Sequence, residues 1–101
     1  MTADARAEIR RMLEAHHTLT LSTWRDGEPW AATVFYASDA DCNLYFVSDH
    51  RTRHARDMLA APRVALAINA DVDNWNDVRG LQVAGDAARV EGVERAKALA
   101  L

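Results

Sequence analysis

The chain of 101 residues lacks most of the features that mark specialised protein classes. It holds one cysteine, Cys42, so no internal disulfide and no multi-cysteine zinc site can form. Neither His nor Arg adjoins Cys42 in sequence, and it reads as an incidental loop thiol. No apolar run approaches the roughly 20 residues that span a bilayer. The charged, Ala-rich start, Met1 to Arg6, has none of the apolar stretch of a secretory signal. These absences predict a cytoplasmic protein. Lysine is almost missing, since Lys97 is the only one among 12 basic residues, and the formal charge is −3. Without a basic face, nucleic acid is a poor partner. There is no Gly-rich phosphate loop, no nucleophile elbow and no Cys–His pairing.

What is present fits one domain, with 27% charged and 50% hydrophobic residues. A chain this short buries only about 60–70% of its unfolded surface, so a partner subunit would help it. Residues 3–16 carry Ile9, Met12 and Leu13 at helical spacing, with Thr2 or Asp4 as cap. From Thr18 to Thr23 the pattern alternates, sending Leu19 and Leu21 to one side and Thr18, Thr20 and Ser22 to the other, as a strand does. Arg25-Asp-Gly-Glu28 predicts a tight hairpin. The following strand, Pro29 to Ala37, is mostly apolar on both faces, which calls for a barrel core on one side and a helix, a partner or a bound ring on the other. A third strand is expected over 44–48, a helix over 52–61 capped by Thr52 or Asp49, and a fourth strand over 63–69. A polar loop follows at 70–77, then a fifth strand over about 79–90 with Gly85 as a bulge or corner. Residues 92–101 begin a helix that ends without a glycine stop, as in a short or truncated form. The expected boundaries are thus a helix at 3–16, a barrel at 18–90 and a helix start at 92–101.

The strongest chemical signal is Ser48-Asp-His-Arg-Thr-Arg-His-Ala55, where a strand ends and a helix starts with Arg and His in its first turn. Free N–H groups and the positive dipole end suit an anion there, and guanidinium groups add charge-assisted contacts. Arg51, Arg53, Arg56 and Arg63 are opposed in this stretch only by Asp57, in an otherwise acidic chain. The alternative is a solvated basic turn. Metal chemistry fits poorly. His50 and His54 lie four residues apart, but Arg51 stands where a zinc-protease helix needs Glu. The acidic loop from Asp71 to Asp77 has Asn76 and Gln82 where a calcium loop needs Gly and Glu. Trp24, Trp30 and Trp75 are core, interface or stacking aromatics. Trp30 reads as core or dimer packing and Trp75 as a lid or cross-subunit contact.

The order of Leu-Thr-Leu-Ser-Thr, Asp-Gly-Glu-Pro, Ala-Thr-Val-Phe-Tyr, Leu-Tyr-Phe-Val-Ser, Thr-Arg-His-Ala-Arg, Ala-Pro-Arg-Val-Ala and Arg-Gly-Leu-Gln-Val-Ala-Gly resembles the pyridoxamine 5′-phosphate oxidase-like FMN-binding split barrels from about Leu13 to Val90. The resemblance implies a mostly β fold with flanking helices (α+β). This is an antiparallel six-stranded split β-barrel, here without its last C-terminal strand, that forms a homodimer with FMN at the subunit interface. It places the flavin and its ribityl chain beside Ala32, Thr33, Val34, Val47 and Ser48, and the phosphate at Thr52, Arg53 and His54. Arg79 and Gln82 would come from the neighbouring subunit. The family's oxidases carry Arg, Lys and Lys at the positions of Ala32, Ala37 and His54, and their C-terminal substrate-binding segment has no counterpart here. A small relative is therefore implied rather than the oxidase itself. The leading expectation is an FMN-dependent oxidoreductase in which no side chain stands out as acid or base. The alternatives are a haem-binding relative with His16, His17, His50 or His54 as axial ligand, or a scaffold without cofactor.

Overall fold

The computed structural model describes residues 1–101. Helix α1, Ala3–Ala15, is capped by Thr2, whose hydroxyl accepts from the Ala5 N–H at 3.0 Å. Strands β1 (Thr18–Arg25) and β2 (Glu28–Phe35) form the expected hairpin. Asp26 and Gly27 at its tip have φ of 52° and 82°, the left-handed pair that a two-residue turn requires. Two short strands follow, β3 (Ala37–Ser38) and β4 (Leu44–Tyr45), and then α2 (Arg53–Ala60), β5 (Arg63–Asn69), β6 (Gly80–Asp86) and α3 (Gly92–Leu99).

The strands make an antiparallel four-stranded sheet in the order β2-β1-β5-β6 and a separate β3-β4 pair, so the sheet does not close. Alternation decides its faces. Leu19, Leu21, Val34 and Ile68 point inward with Leu13 of α1 and Tyr36 to form the buried core. The Tyr36 hydroxyl donates to the Leu13 carbonyl at 2.7 Å, which ties β2's exit to the last turn of α1. The opposite face is bare. Register aligns Thr33, Thr20, Ala67 and Gln82 in one row and Ala31, Ser22, Ala65 and Ala84 in the next, with no charge in either. Beside them Phe35 is 71% exposed.

Several boundaries differ from the sequence reading. The second strand breaks at Tyr36, and the third retains only Leu44 and Tyr45, because nothing pairs with the chain beyond them. Val47 is exposed, and Ser48 leads directly toward α2. Gly85 is neither bulge nor corner, since it stands opposite Val64 in an uninterrupted β5–β6 register. The tight glycine is Gly80, where a Cβ would meet the Ile68 carbonyl oxygen at 2.6 Å. No helix is long and apolar enough to cross a membrane.

Candidate functional site

The start of α2 is built by a short polar turn. Asp49 accepts from the Arg51 N–H at 2.8 Å and grips the Arg51 guanidinium at 2.7 Å, which pulls its carboxyl down to about 2. Thr52 then caps the helix, donating its hydroxyl proton to the Asp49 carbonyl at 2.8 Å and accepting from the Ala55 N–H at 3.3 Å. His54 turns back, placing Nε2 at 2.8 Å from Ser48 Oγ and 3.3 Å from Thr52 Oγ1. With its proton committed to Asp49, Thr52 meets Nε2 only as an acceptor, which assigns a ring proton to Nε2. At the first turn of a helix the N–H groups of Arg53 and His54 have no intrahelical acceptor. Two hydroxyls, an imidazole and two free N–H groups thus gather at one half-buried spot.

Beneath it lies a group that sequence reasoning missed. Asp57 is 1% exposed, and a buried carboxylate needs partners. Thr23 donates to its Oδ2 at 2.9 Å, Arg25 Nε stands 3.1 Å from Oδ1, and Arg53 Nε stands 3.8 Å from Oδ2. Oδ1 has no directed hydrogen bond, so the Arg25 contact is ionic and off-axis. The Arg53 guanidinium lies over the Trp30 ring, with Cζ 4.3 Å from the centroid. Trp30 and Thr23 are directly opposed in the β1–β2 ladder, so one strand pair supplies both supports. The i, i+4 spacing of Arg53 and Asp57 was the only visible signal. That Thr23 and Arg25 would meet Asp57 depends on how α2 packs on β1.

The structure brings the side chains of Ser48, Thr52 and His54 together, with exposed Val47 next in the chain, while Arg53 in the same helical turn directs its side chain to Trp30 and Asp57. It disperses the other expected site residues. Ala32 is half-buried on the inner face of β2, Val34 is in the core, and Thr33 points to the outer face. Gln82 is on β6, three strand spacings from β2, or about 14 Å. Arg79 holds Glu8 of α1 at 2.9 Å, beside a recess of about 380 Å³ that also borders His16 and Asp77. The basic stretch is likewise less free than its composition suggests. Arg51 is paired with Asp49 and Arg63 with Asp86 at 3.5 Å, while Arg56 makes no ion pair. Of the remaining histidines, His17 stacks on Phe35 with centroids 6.0 Å apart, and His50 is exposed.

An unclosed antiparallel sheet flanked by helices, with a hydroxyl-rich helix start beside it, defines a split-barrel protein of the pyridoxamine 5′-phosphate oxidase type. The family model described as pyridoxamine 5′-phosphate oxidase matches residues 5–100, and the chain belongs to this family. It is 36% identical over 92 residues to the UPF0306 protein YhbP of Salmonella paratyphi A, covering 90% of this chain and 63% of that protein. The chain thus spans less than two thirds of that relative. Among solved structures it is similar to a heme-binding protein of Mycobacterium smegmatis, with a TM-score of 0.79 and 29% identity over 99% of this chain and 43% of that one. It shares its fold with the heme storage protein HutZ of Vibrio cholerae, at a TM-score of 0.82 and 21% identity over 93% of this chain and 70% of that one.

Proposed function

We propose that the chain is one subunit of a dimeric FMN-binding protein, a flavin-dependent oxidoreductase whose cofactor phosphate sits at the start of α2. One observation carries this reading. Ser48 Oγ and Thr52 Oγ1 both lie within hydrogen-bonding distance of His54 Nε2, which leaves the Ser48 hydroxyl its own proton to donate; with the free N–H groups of Arg53 and His54 and the unpaired end of the Arg53 guanidinium, this is a donor set suited to a phosphate monoester. When bound, the flavin supplies the electron or hydride chemistry. The chain's own residues bind and orient it: the Ser48 hydroxyl, the N–H groups at the helix start and Arg53 hold the phosphate, and the small side chain of Ala32 leaves the neighbouring backbone open to a planar ring.

A single copy offers little enclosure at this spot. Gln82 lies on β6, at the opposite edge of the sheet from β2, and Arg79 is held by Glu8 of α1, which supports their meeting a cofactor bound by a second copy. The uncharged outer face of Thr20, Thr33, Ala31, Ala65, Ala67 and Ala84, with exposed Phe35 at its edge, supports a homodimer interface. Haem is the second reading. The similarity to the Mycobacterium smegmatis protein along nearly the whole chain favours it, and exposed His50 is an available axial ligand.

An absorbance spectrum of the purified protein after reconstitution with FMN or with haem separates these readings. Retained near-ultraviolet and blue flavin bands after gel filtration are expected. A Soret band with no retained flavin would replace the first reading with the second, and retention of neither would leave a scaffold without cofactor.

A further inference from the structure

We infer that Asp57 is a positioning residue for anion recognition: it touches no ligand, yet with Trp30 it sets where Arg53 presents its charge. The inference rests on the phosphate reading of the α2 start and deepens it. An arginine in the first turn of a helix opposes the helix dipole, and a long free side chain loses much rotamer entropy when it captures an anion. Arg53 escapes both handicaps. Its Nε faces Asp57 Oδ2 at 3.8 Å, and its Cζ lies over the Trp30 ring, 4.3 Å from the centroid. Its terminal nitrogens donate no hydrogen bond within the chain and stay available for a bidentate contact.

The carboxylate is itself immobilised from the sheet side. Thr23 reaches the same oxygen that faces Arg53, at 2.9 Å, and Arg25 balances the other at 3.1 Å. Two guanidinium groups around one buried carboxylate leave one positive charge in excess, and Arg53 carries its share on the first turn of α2, the turn that Thr52 caps. Asp57 therefore does not cancel the anion site. It converts a mobile cation into an oriented one.

FMN and riboflavin differ only in the phosphate, so their relative affinity reads this role apart from general damage to the fold. We would measure both dissociation constants by quenching of flavin fluorescence for the wild-type protein, Asp57→Asn and Trp30→Leu, with thermal unfolding alongside. In Asp57→Asn the preference for FMN over riboflavin should fall about tenfold, the size of one hydrogen bond to a charged group, while riboflavin binds as before. Trp30→Leu removes the stacked surface with the carboxylate in place, and a loss of preference of about threefold is expected from an exposed cation–π contact. It decides the matter if Asp57→Asn does not fold. An undiminished preference in the folded variants, or parallel loss of both flavins, overturns the positioning role alone. A wild-type protein that binds FMN no better than riboflavin overturns the phosphate reading and this inference with it.

Discussion

Replacing Thr23 by Val removes one hydroxyl from a buried polar contact between β1 and α2. The two side chains are nearly the same shape, so little cavity term enters. What is lost is a 2.9 Å hydrogen bond to a carboxylate that is 1% exposed. Bonds to charged groups contribute about 1.5–3 kcal/mol, and Asp57 Oδ2 would keep only Arg53 Nε at 3.8 Å. Arg25 remains on the other oxygen at 3.1 Å and prevents complete isolation of the charge. We therefore expect Thr23→Val to cost about 2 kcal/mol. In urea, with a slope of roughly 1 kcal/mol per molar for a domain this small, the midpoint should fall by about 2 M. In a thermal scan the same loss is about 10 °C. Thr23→Ser keeps the hydroxyl and gives up a methyl group, about 1 kcal/mol, so it should fall between wild type and Val. In an Asp57→Asn background the bond is neutral, and the cost of Thr23→Val should shrink to about 1 kcal/mol. A Val variant within about 0.5 kcal/mol of wild type, or a Ser variant less stable than Val, would refute the picture of a buried charge held by this hydroxyl.

Other outcomes follow from the same structure. Tyr36→Phe leaves the Leu13 carbonyl without its 2.7 Å donor and should cost about 1–3 kcal/mol in chemical denaturation. Burial raises the Tyr36 phenol above its ordinary value, so folding favours the protonated form. That stability is fully present below the unfolded phenol's pKa of about 10 and declines as pH rises through the higher folded value, a decline that Tyr36→Phe should remove. Gly80→Ala forces a Cβ to 2.6 Å from the Ile68 carbonyl oxygen and should destabilise the β5–β6 ladder by about 1–3 kcal/mol, read as a lower melting temperature. Ala65→Glu places a charge in the middle of the uncharged outer face, and sedimentation should show a monomer with native circular dichroism.

Elements governed by local chemistry are legible in the sequence. The alternation of 18–23, the Asp26-Gly27 turn and the Thr52 cap all lie where their residues place them, because each depends on contacts within a few positions. The third strand was overextended because Leu44-Tyr-Phe-Val has strong β character, whereas the partner strand supplies only Ala37 and Ser38. Tertiary supply of partners decided its length. At the site, Ser48, Thr52, Arg53 and His54 were readable as one group from their closeness in the chain. The charge count was legible too, but not its disposition, since Arg51 folds back onto Asp49 and Arg63 crosses to Asp86. Asp57 was hidden for a related reason. Its partners Thr23 and Arg25 are more than thirty residues away and meet it only through the packing of α2 against the hairpin.

The central claim is that the start of α2 holds a phosphate. It is tested most directly by titrating FMN into the wild-type protein and into the double variant Arg53→Ala with His54→Ala, both verified as folded. The variant should bind FMN at least about tenfold more weakly, since the charged donor is removed together with the imidazole that orients the Ser48 hydroxyl. Equal affinity in the two proteins would contradict it.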